Sequence, residues 1–411
     1  MSRQSANPPS AAPAFGLDQP TQTDIDLAQA WTRFCDELKA AGEIAFRGNA
    51  PRNPVDRAAG VRLLARNIGL SLAFEMESKD PEHPELMHYF DPIRKQGGDN
   101  TDAYYSGATI NGTDTYRIRG HRGSASYFAI TLVERGSTPY GGPVAATLFG
   151  WDMQLEPDGS FELILSPEPH EGNWMRTTPE TFRVTFREFF GDWEREQPMK
   201  AVIDRLTGGG EPPQLGPQQV MDGLAGASRW LRHSLGFWAE MIELWKARPN
   251  QFLGWGELAD RGIDFTPGGQ PLIAYWQLPE DEALIVRVRP PKARYWAVEF
   301  GNYWWETMDY RFRLSNTNQY YAELEDDGEL IVVISRQDPG VPNWLDTSGH
   351  SEGYVTFRWI DAEAYPRPQA QQVKFAQLLE HLPDSITRIS AQQRREQIAA
   401  RRRGVINRFG S

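Results

Sequence analysis

The chain has 411 residues, 40% of them apolar and 24% charged, which supports a sizeable core in more than one typical domain and excludes a disordered or fibrous polymer. Its 43 basic and 55 acidic side chains leave a net charge of -12, so phosphate backbones and anionic membrane surfaces are disfavoured as general partners. The single cysteine, Cys35, excludes an internal disulfide and a Cys-rich zinc site, and the 37 Gly and 30 Pro point to many turns and hence many strands.

Residues 1–20 are rich in Pro, Ser and Ala and lack the apolar core of a signal peptide, so a disordered leader is expected. No stretch approaches the length of a membrane span, and a soluble, cytoplasmic protein is the expectation. A helical segment occupies 21–80. In its first helix Ile25, Leu27, Ala28, Trp31, Phe34, Cys35 and Leu38 recur at helical spacing, with Asp24 as the N-cap. A second helix runs from Pro54 to about Glu77, with Ala58, Val61, Leu64, Ile68, Leu72 and Phe74 inward. From 81 to 206 short apolar runs alternate with Gly, Asp, Asn and Pro; YRIRG, SYFAITLV, SFELIL and FRVTFREFF read as strands. A Gly/Pro linker and a Trp-rich helix fill 207–250, that helix carrying Leu224, Trp230, Leu231, Phe237, Trp238, Ile242 and Trp245 as core or lid. A second strand-rich unit spans 251–365. The remainder, 366–411, reads as helix from Gln369 with a basic end that docks on the acidic body or on a partner chain.

The two strand-rich units are a diverged duplication. Tyr127-Phe128 matches Tyr295-Trp296 at an offset of 168, Asp158-Gly159 matches Asp327-Gly328 at 169, Asn173-Trp174 matches Asn343-Trp344 at 170, and Thr185-Phe186-Arg187 matches Thr356-Phe357-Arg358 at 171. Each Asp-Gly reads as a hairpin turn, each Asn-Trp as a cover for the end of a core, and Arg187 and Arg358 as reaching over a sheet edge. The fold class is therefore mainly β: duplicated antiparallel β-sandwich units with flanking helices, and a cleft between the pseudo-symmetric halves.

The segment GGDNTDAYYSGATINGTDTYRIRG and the closing DDGELIVVISRQDPGVPNWLDTSGHSEGYVTFRWI resemble the bacterial family defined by an uncharacterised domain numbered 1214. The resemblance rests on Asp327-Gly328, Pro339-Gly340, Asn343-Trp344-Leu345 and the strand from Val355 to Trp359. The family form has Pro where this chain has Asp346 and, near the end of the last strand, Ile360. The resemblance implies a β-rich, jelly-roll-like fold and brings no activity or catalytic residues.

The seven histidines form no zincin or cupin spacing, and neither a Walker A loop, a Gly-x-Gly-x-x-Gly nor a Gly-x-Ser-x-Gly elbow occurs. No cofactor and no metal are expected. Two polar-aromatic segments stand out. In 99–123, Asp102, Tyr105, Arg117, Arg119 and His121 suit an anion or polyhydroxyl site, or else the arginines pair with Asp99, Asp102 or Asp114 in a surface lattice. In 299–321, Glu299, Tyr303, Trp304, Trp305, Glu306, Asp309 and Asn316 suit a sugar ring, or else bury as core. The matching part of the first unit, RGSTPYGGPVAATLFG, is plainer, and this asymmetry suggests that the second copy took the specialised task.

Two functions from different classes follow. One is a cleft enzyme acting on a polyhydroxyl or aromatic small molecule, by hydrolase or lyase chemistry. Its acid–base groups would be Glu299, Glu306, Asp309 and His121, and its substrate contacts Asp102, Tyr105, Arg117, Arg119, Tyr303, Trp304, Trp305 and Asn316. The other is a non-catalytic carbohydrate or small-molecule binding protein. Either takes a small molecule or oligosaccharide and no nucleic acid or membrane; a homo-oligomer is left open.

Overall fold

Helix α1 (Gln22–Ala41) starts one turn before the expected cap: the Thr21 side chain accepts from the Asp24 N–H while the Asp24 carboxylate accepts from Thr21. Asp24 is thus the third residue of a capping box. Of the expected inward face Ala28 and Phe34 are buried, whereas Trp31 is 49% exposed. Helix α2 (Pro54–Leu72) has Asn53 as its cap and Pro54 in its first turn, and ends in a π-turn over Ala73–Glu77. Its inward face is rotated from the expected one: Ala58 and Val61 are exposed, and Asp56, Ala59, Gly60, Leu63, Asn67 and Leu70 are buried. Gly60 explains the rotation, since a Cβ there would stand 2.6 Å from the Trp304 ring. The computed structural model describes residues 18–258 and 266–410, without the side chains of Trp255 and Leu258. Most of the expected leader lies outside the described residues.

The first unit has nine strands: β1 (Met87–His88), β2 (Ala103–Thr109), β3 (Tyr116–His121), β4 (Tyr127–Glu134), β5 (Val144–Phe149), β6 (Ser160–Ser166), β7 (Asn173–Arg176), β8 (Thr181–Phe189) and β9 (Lys200–Arg205). They form a five-stranded sheet in the order β1-β2-β8-β4-β5 and a four-stranded sheet in the order β7-β6-β3-β9. Helix α3 (Pro217–Lys246) follows, and all seven of its expected apolar residues are buried. The second unit then repeats the first strand for strand. Its elements are β10 (Leu253–Gly254), the short α4 (Trp255–Leu258), β11 (Gly269–Gln277), β12 (Glu282–Val288), β13 (Ala293–Asn302), β14 (Asn316–Asn318), β15 (Leu330–Ser335), β16 (Trp344–Asp346), β17 (Glu352–Ala362) and β18 (Gln369–Lys374). Its sheets run β10-β11-β17-β13-β14 and β16-β15-β12-β18. The pairing is antiparallel except for β6 with β7 and β15 with β16, which are parallel.

The chain from Gln369 is not helical at first. Residues 369–374 pair with β12 and complete the second unit, so that unit extends beyond residue 365. QAQQVK buries only Val373 and carries no apolar alternation that would mark a strand. Helix α5 (Ala391–Phe409) closes the chain and docks on the body, with Arg394 on Asp338, Arg403 on Glu194 and Gly404 against Trp193.

Alternation explains the layering. Along β4, Phe128, Ile130 and Leu132 point into the core of the first sandwich, while Tyr127 and Ala129 point the other way. In β13, Val298 and Phe300 face the second sandwich core while Tyr295 and Ala297 point out. The outward residues, with Phe189 of β8 and Ile360 of β17, pack on one another, so the two five-stranded sheets meet face to face. Elsewhere the outer face of the second five-stranded sheet is covered by helices: Ile273, Tyr275 and Tyr354 pack with Leu63 of α2 and Trp238 and Trp245 of α3.

The duplicated anchors hold corresponding joints. Gly159 (φ 85°) and Gly328 (φ 83°) each occupy the left-handed corner of a hairpin. Asn173 accepts from the Gln154 N–H at 2.8 Å and donates to the carbonyls of Gln154 and Glu162; Asn343 does the same with Glu323 and Ile331. Trp174 and Trp344 each donate to the serine that ends the preceding strand, Ser166 and Ser335, at 3.0 Å. We expect Asn173→Ala to lower stability by about 1–3 kcal/mol in urea unfolding. Asn343→Ala should cost more, because Asn343 has a φ of 51° that alanine resists.

Candidate functional site

A cavity of about 140 Å³ lies where the facing sheets part. Its floor is β8. Val184 and Phe186 point into the sandwich core, so Arg183, Thr185 and Arg187 point into the cavity. Its walls are largely aromatic: Tyr89, Phe90 and Tyr105 on one side, Tyr140 from the loop between β4 and β5, and Phe237 and Trp238 from α3. The turn at Gln96–Asp99 forms another wall. Gly97 has φ 70°, and a Cβ on it would fall 2.5 Å from the Trp238 ring.

Three arginines line this space, and their partners differ. Arg358 of β17 is saturated: its Nε and Nη2 reach the same oxygen of Glu299 at 3.0 and 2.5 Å, and it also donates to Thr266 and to the Gly98 carbonyl. Burial pushes the Glu299 carboxyl upward, Arg358 pulls it back, and the net shift is upward. Arg187, the equivalent of Arg358, has Thr131 where Arg358 has Glu299, and donates to its hydroxyl at 3.2 Å. Arg183 lies over the rings of Phe74, Tyr89 and Phe182, and its Nε has no partner among the described residues. A buried N–H without an acceptor is costly.

Asp99 is the cavity's acid. It is 4% exposed, its Oδ2 accepts from the Thr307 hydroxyl at 3.0 Å, and its Oδ1 has no partner among the described residues. Burial pushes it up to about 6, against the pull of Lys95 and Thr307. Lys95, pushed down to about 8 by burial, donates to the carbonyls of Thr307 and Met308 and lies 4.4 Å over the Tyr310 ring. Tyr105 takes a hydrogen bond from the Asn100 N–H, and burial pushes its hydroxyl up to about 12.

Of the residues singled out from sequence, Tyr105 lines the cavity and Glu299 underpins it through Arg358. The others stand elsewhere. His121 sits on the exposed hairpin of β3, its Nε2 at the Asp158 carbonyl. Arg117 and Arg119 share one face of β3, as expected, but meet Asp204 of β9 on the outer sheet rather than Asp99, Asp102 or Asp114. Asp309 pairs with Arg311, and Glu306, fully buried, pairs with Arg66 at 2.5 Å. Tyr303, Trp304 and Trp305 are core under α2 and α3. Trp304 donates to the Asp56 carbonyl, and the Tyr303 hydroxyl donates to Glu243.

Asp102 and Asn316 belong to a buried joint. Asp102 Oδ1 accepts from Trp193 Nε1, Asn316 Nδ2 and Arg401 Nη1, and Oδ2 from Tyr295 and Asn318. One carboxylate thus binds the first unit, the second unit and α5 together. Among the described residues no group of three His, Cys, Asp or Glu side chains could hold a metal ion, and no helix is long and apolar enough to cross a membrane.

The model of a protein of unknown function, DUF1214, matches residues 100–190 and 283–364, one stretch in each unit. A crystal structure of an uncharacterized protein from Burkholderia cenocepacia is similar at 30% identity, with a TM-score of 0.81, over 86% of this chain and 99% of that one. The chain belongs to the DUF1214 family. A second solved structure, the VPA0106 protein from Vibrio parahaemolyticus, is 12% identical with a TM-score of 0.45, over 82% of this chain and all of that one. The comparison with curated proteins found no match.

The two DUF1214 matches bracket the cavity, because β2 and β8 lie in the first and β13 and β17 in the second. Sequence reasoning placed Arg187 and Arg358 at a sheet edge, yet both lie within the sheets and line the cavity. The available signal was alternation: Arg183, Thr185 and Arg187 interleave with Val184 and Phe186. Asp99, Tyr140 and Trp238 come from separate segments, and only folding unites them.

Because Arg401 is 1% exposed and Asp102 fully buried, Arg401→Met should leave a buried carboxylate without its cation. We expect a loss of about 3–5 kcal/mol, with faster amide exchange confined first to α5 by hydrogen-exchange mass spectrometry. Unchanged exchange over 391–409 would contradict this.

Proposed function

We propose that this DUF1214 protein binds a small organic anion, a carboxylate on a body of about one ring, in the cavity between its repeats. The observation that carries this reading is the pair Arg183 and Arg187. Both project from β8 into an aromatic enclosure, and neither has a carboxylate partner. Their Cα atoms stand about 13 Å apart at roughly 3.3 Å per residue, and Thr185 lies between them. Guanidinium forks suit carboxylate oxygens, and aromatic walls suit a ring. The 140 Å³ volume is close to the roughly 150 Å³ that accommodates a benzene ring, which favours a single ring over an oligosaccharide.

This is a binding function first. Acid–base cleavage of a glycosidic bond by Glu299, Glu306 and Asp309 is less favoured, because each of the three carboxylates is committed to an arginine. Proton transfer is the second reading, and Asp99 favours it: a buried carboxyl pushed up to about 6, with one unpartnered oxygen, is poised to give or take a proton near neutral pH.

Isothermal titration with benzoate, with benzyl alcohol as the uncharged control, tests the binding reading. Benzoate should bind more tightly than the alcohol. Arg187→Met should weaken benzoate by roughly tenfold or more, since a hydrogen bond to a charged group contributes about 1.5–3 kcal/mol. Equal affinity for both compounds, or no effect of the substitution, would overturn it.

The same titration carries a pH signature. Above about 6 Asp99 is ionised and repels a bound carboxylate; below it the carboxyl is neutral. Benzoate affinity should therefore fall between pH 5.5 and 7.5, and Asp99→Asn should flatten the dependence.

A further inference from the structure

We infer that the ligand carries, besides its carboxylate, a hydrogen-bond donor on the ring, a hydroxyl or amino group that Asp99 receives. This rests on the reading of the cavity as an anion site and goes on to define the ligand's other end. The cavity is polarised. On β8 the Arg183 Nε–H has no acceptor, and Arg187 has only the Thr131 hydroxyl. On the Gln96–Asp99 turn the cavity offers acceptors without donors. Asp99 Oδ1 has no partner among the described residues, and neither has Gln96 Oε1, whose residue is 2% exposed and whose Nε2 is engaged by Asn67. Both residues line the cavity, with Gly97 and Gly98 between them.

A buried acceptor left unmade costs about 1–3 kcal/mol, and native proteins keep few of them. Two on a single turn, in a space that fits one ring, match a ligand that donates there. Gly97 is pressed on Trp238, and the other Asp99 oxygen is committed to Thr307.

The charged groups around Asp99 set its response to pH. Lys95 comes from its own turn, and Glu306, with its partner Arg66, faces it from the second unit and α2. The Glu299–Arg358 pair stands behind it, with Arg358 on the Gly98 carbonyl. Tyr140, Tyr310 and Tyr354 are near enough to feel its charge, and burial keeps all three protonated. As pH rises through about 6, the Asp99 carboxyl loses its proton and becomes a stronger acceptor. Donor-bearing ligands should gain on plain benzoate over the same range in which benzoate itself weakens.

The test is titration of the full chain with benzoate and with the three hydroxybenzoate and three aminobenzoate isomers, at pH 5.5 and 7.5. At least one isomer should bind about tenfold more tightly than benzoate at pH 7.5, with a smaller advantage at pH 5.5. In Asp99→Asn the advantage should stop depending on pH, and an unchanged circular-dichroism spectrum and melting temperature would show that the variant folds. Should that variant fail to fold, the comparison of isomers at two pH values in the unaltered chain still decides. If benzoate binds and no isomer improves on it, the donor inference is overturned and the anion site stands. If no carboxylate binds, the anion reading falls, and this inference with it.

Discussion

Each five-stranded sheet must be covered on both faces. One face of each packs on its own four-stranded sheet; the other is shared between the opposite unit and the helices. Burial on both sides turns every polar residue of these sheets into a problem of partners. One oxygen of Glu299 is held by Arg358, and Asp102 is held by five donors drawn from both units and α5. Arg183 and Arg187 have no carboxylate to solve them, and the space they face is the cavity. The same constraint that builds the interface therefore leaves these two arginines facing the cavity.

The duplication supplied two equivalent positions that diverged in opposite directions. Thr131 and Glu299 are equivalent, as are Arg187 and Arg358, on paired strands β4–β8 and β13–β17. A carboxylate in the second copy converts its arginine into a structural ion pair; a hydroxyl in the first leaves its arginine available. The connecting segments diverged likewise. The aromatic run at 303–305 fills the space under α2 and α3, while the plainer loop at 135–143 brings Tyr140 to the cavity. The richer run at 303–305 carries packing, and the plainer loop borders the cavity.

The family resemblance and the comparisons agree on fold and say nothing of chemistry, since the similar Burkholderia protein is itself uncharacterized. Function has to be argued from the site. The cavity brings together two arginines without a carboxylate partner, ring-sized space and one buried acid.

Much of the architecture was legible because it is written in local periodicity. Short apolar runs between turn residues marked β3, β4, β6 and β8, helical spacing marked α3, and the four anchor pairs marked the duplication, whose turns and Asn-Trp joints depend on residues close in the chain. Strand β18 was illegible because a polar edge strand carries no apolar alternation. The inward face of α2 was misread because Asp56 and Asn67 are buried with partners that lie far away in sequence, His350 and Gln96. Sequence alone determined the mainly β class, the repeat and the aromatic wealth. Only the tertiary structure decided which carboxylates are neutralised and which arginines are not, because that depends on contacts between residues some 59 to 299 positions apart, between strands of one unit for Glu299 and Arg358 and between the first unit and α5 for Asp102 and Arg401.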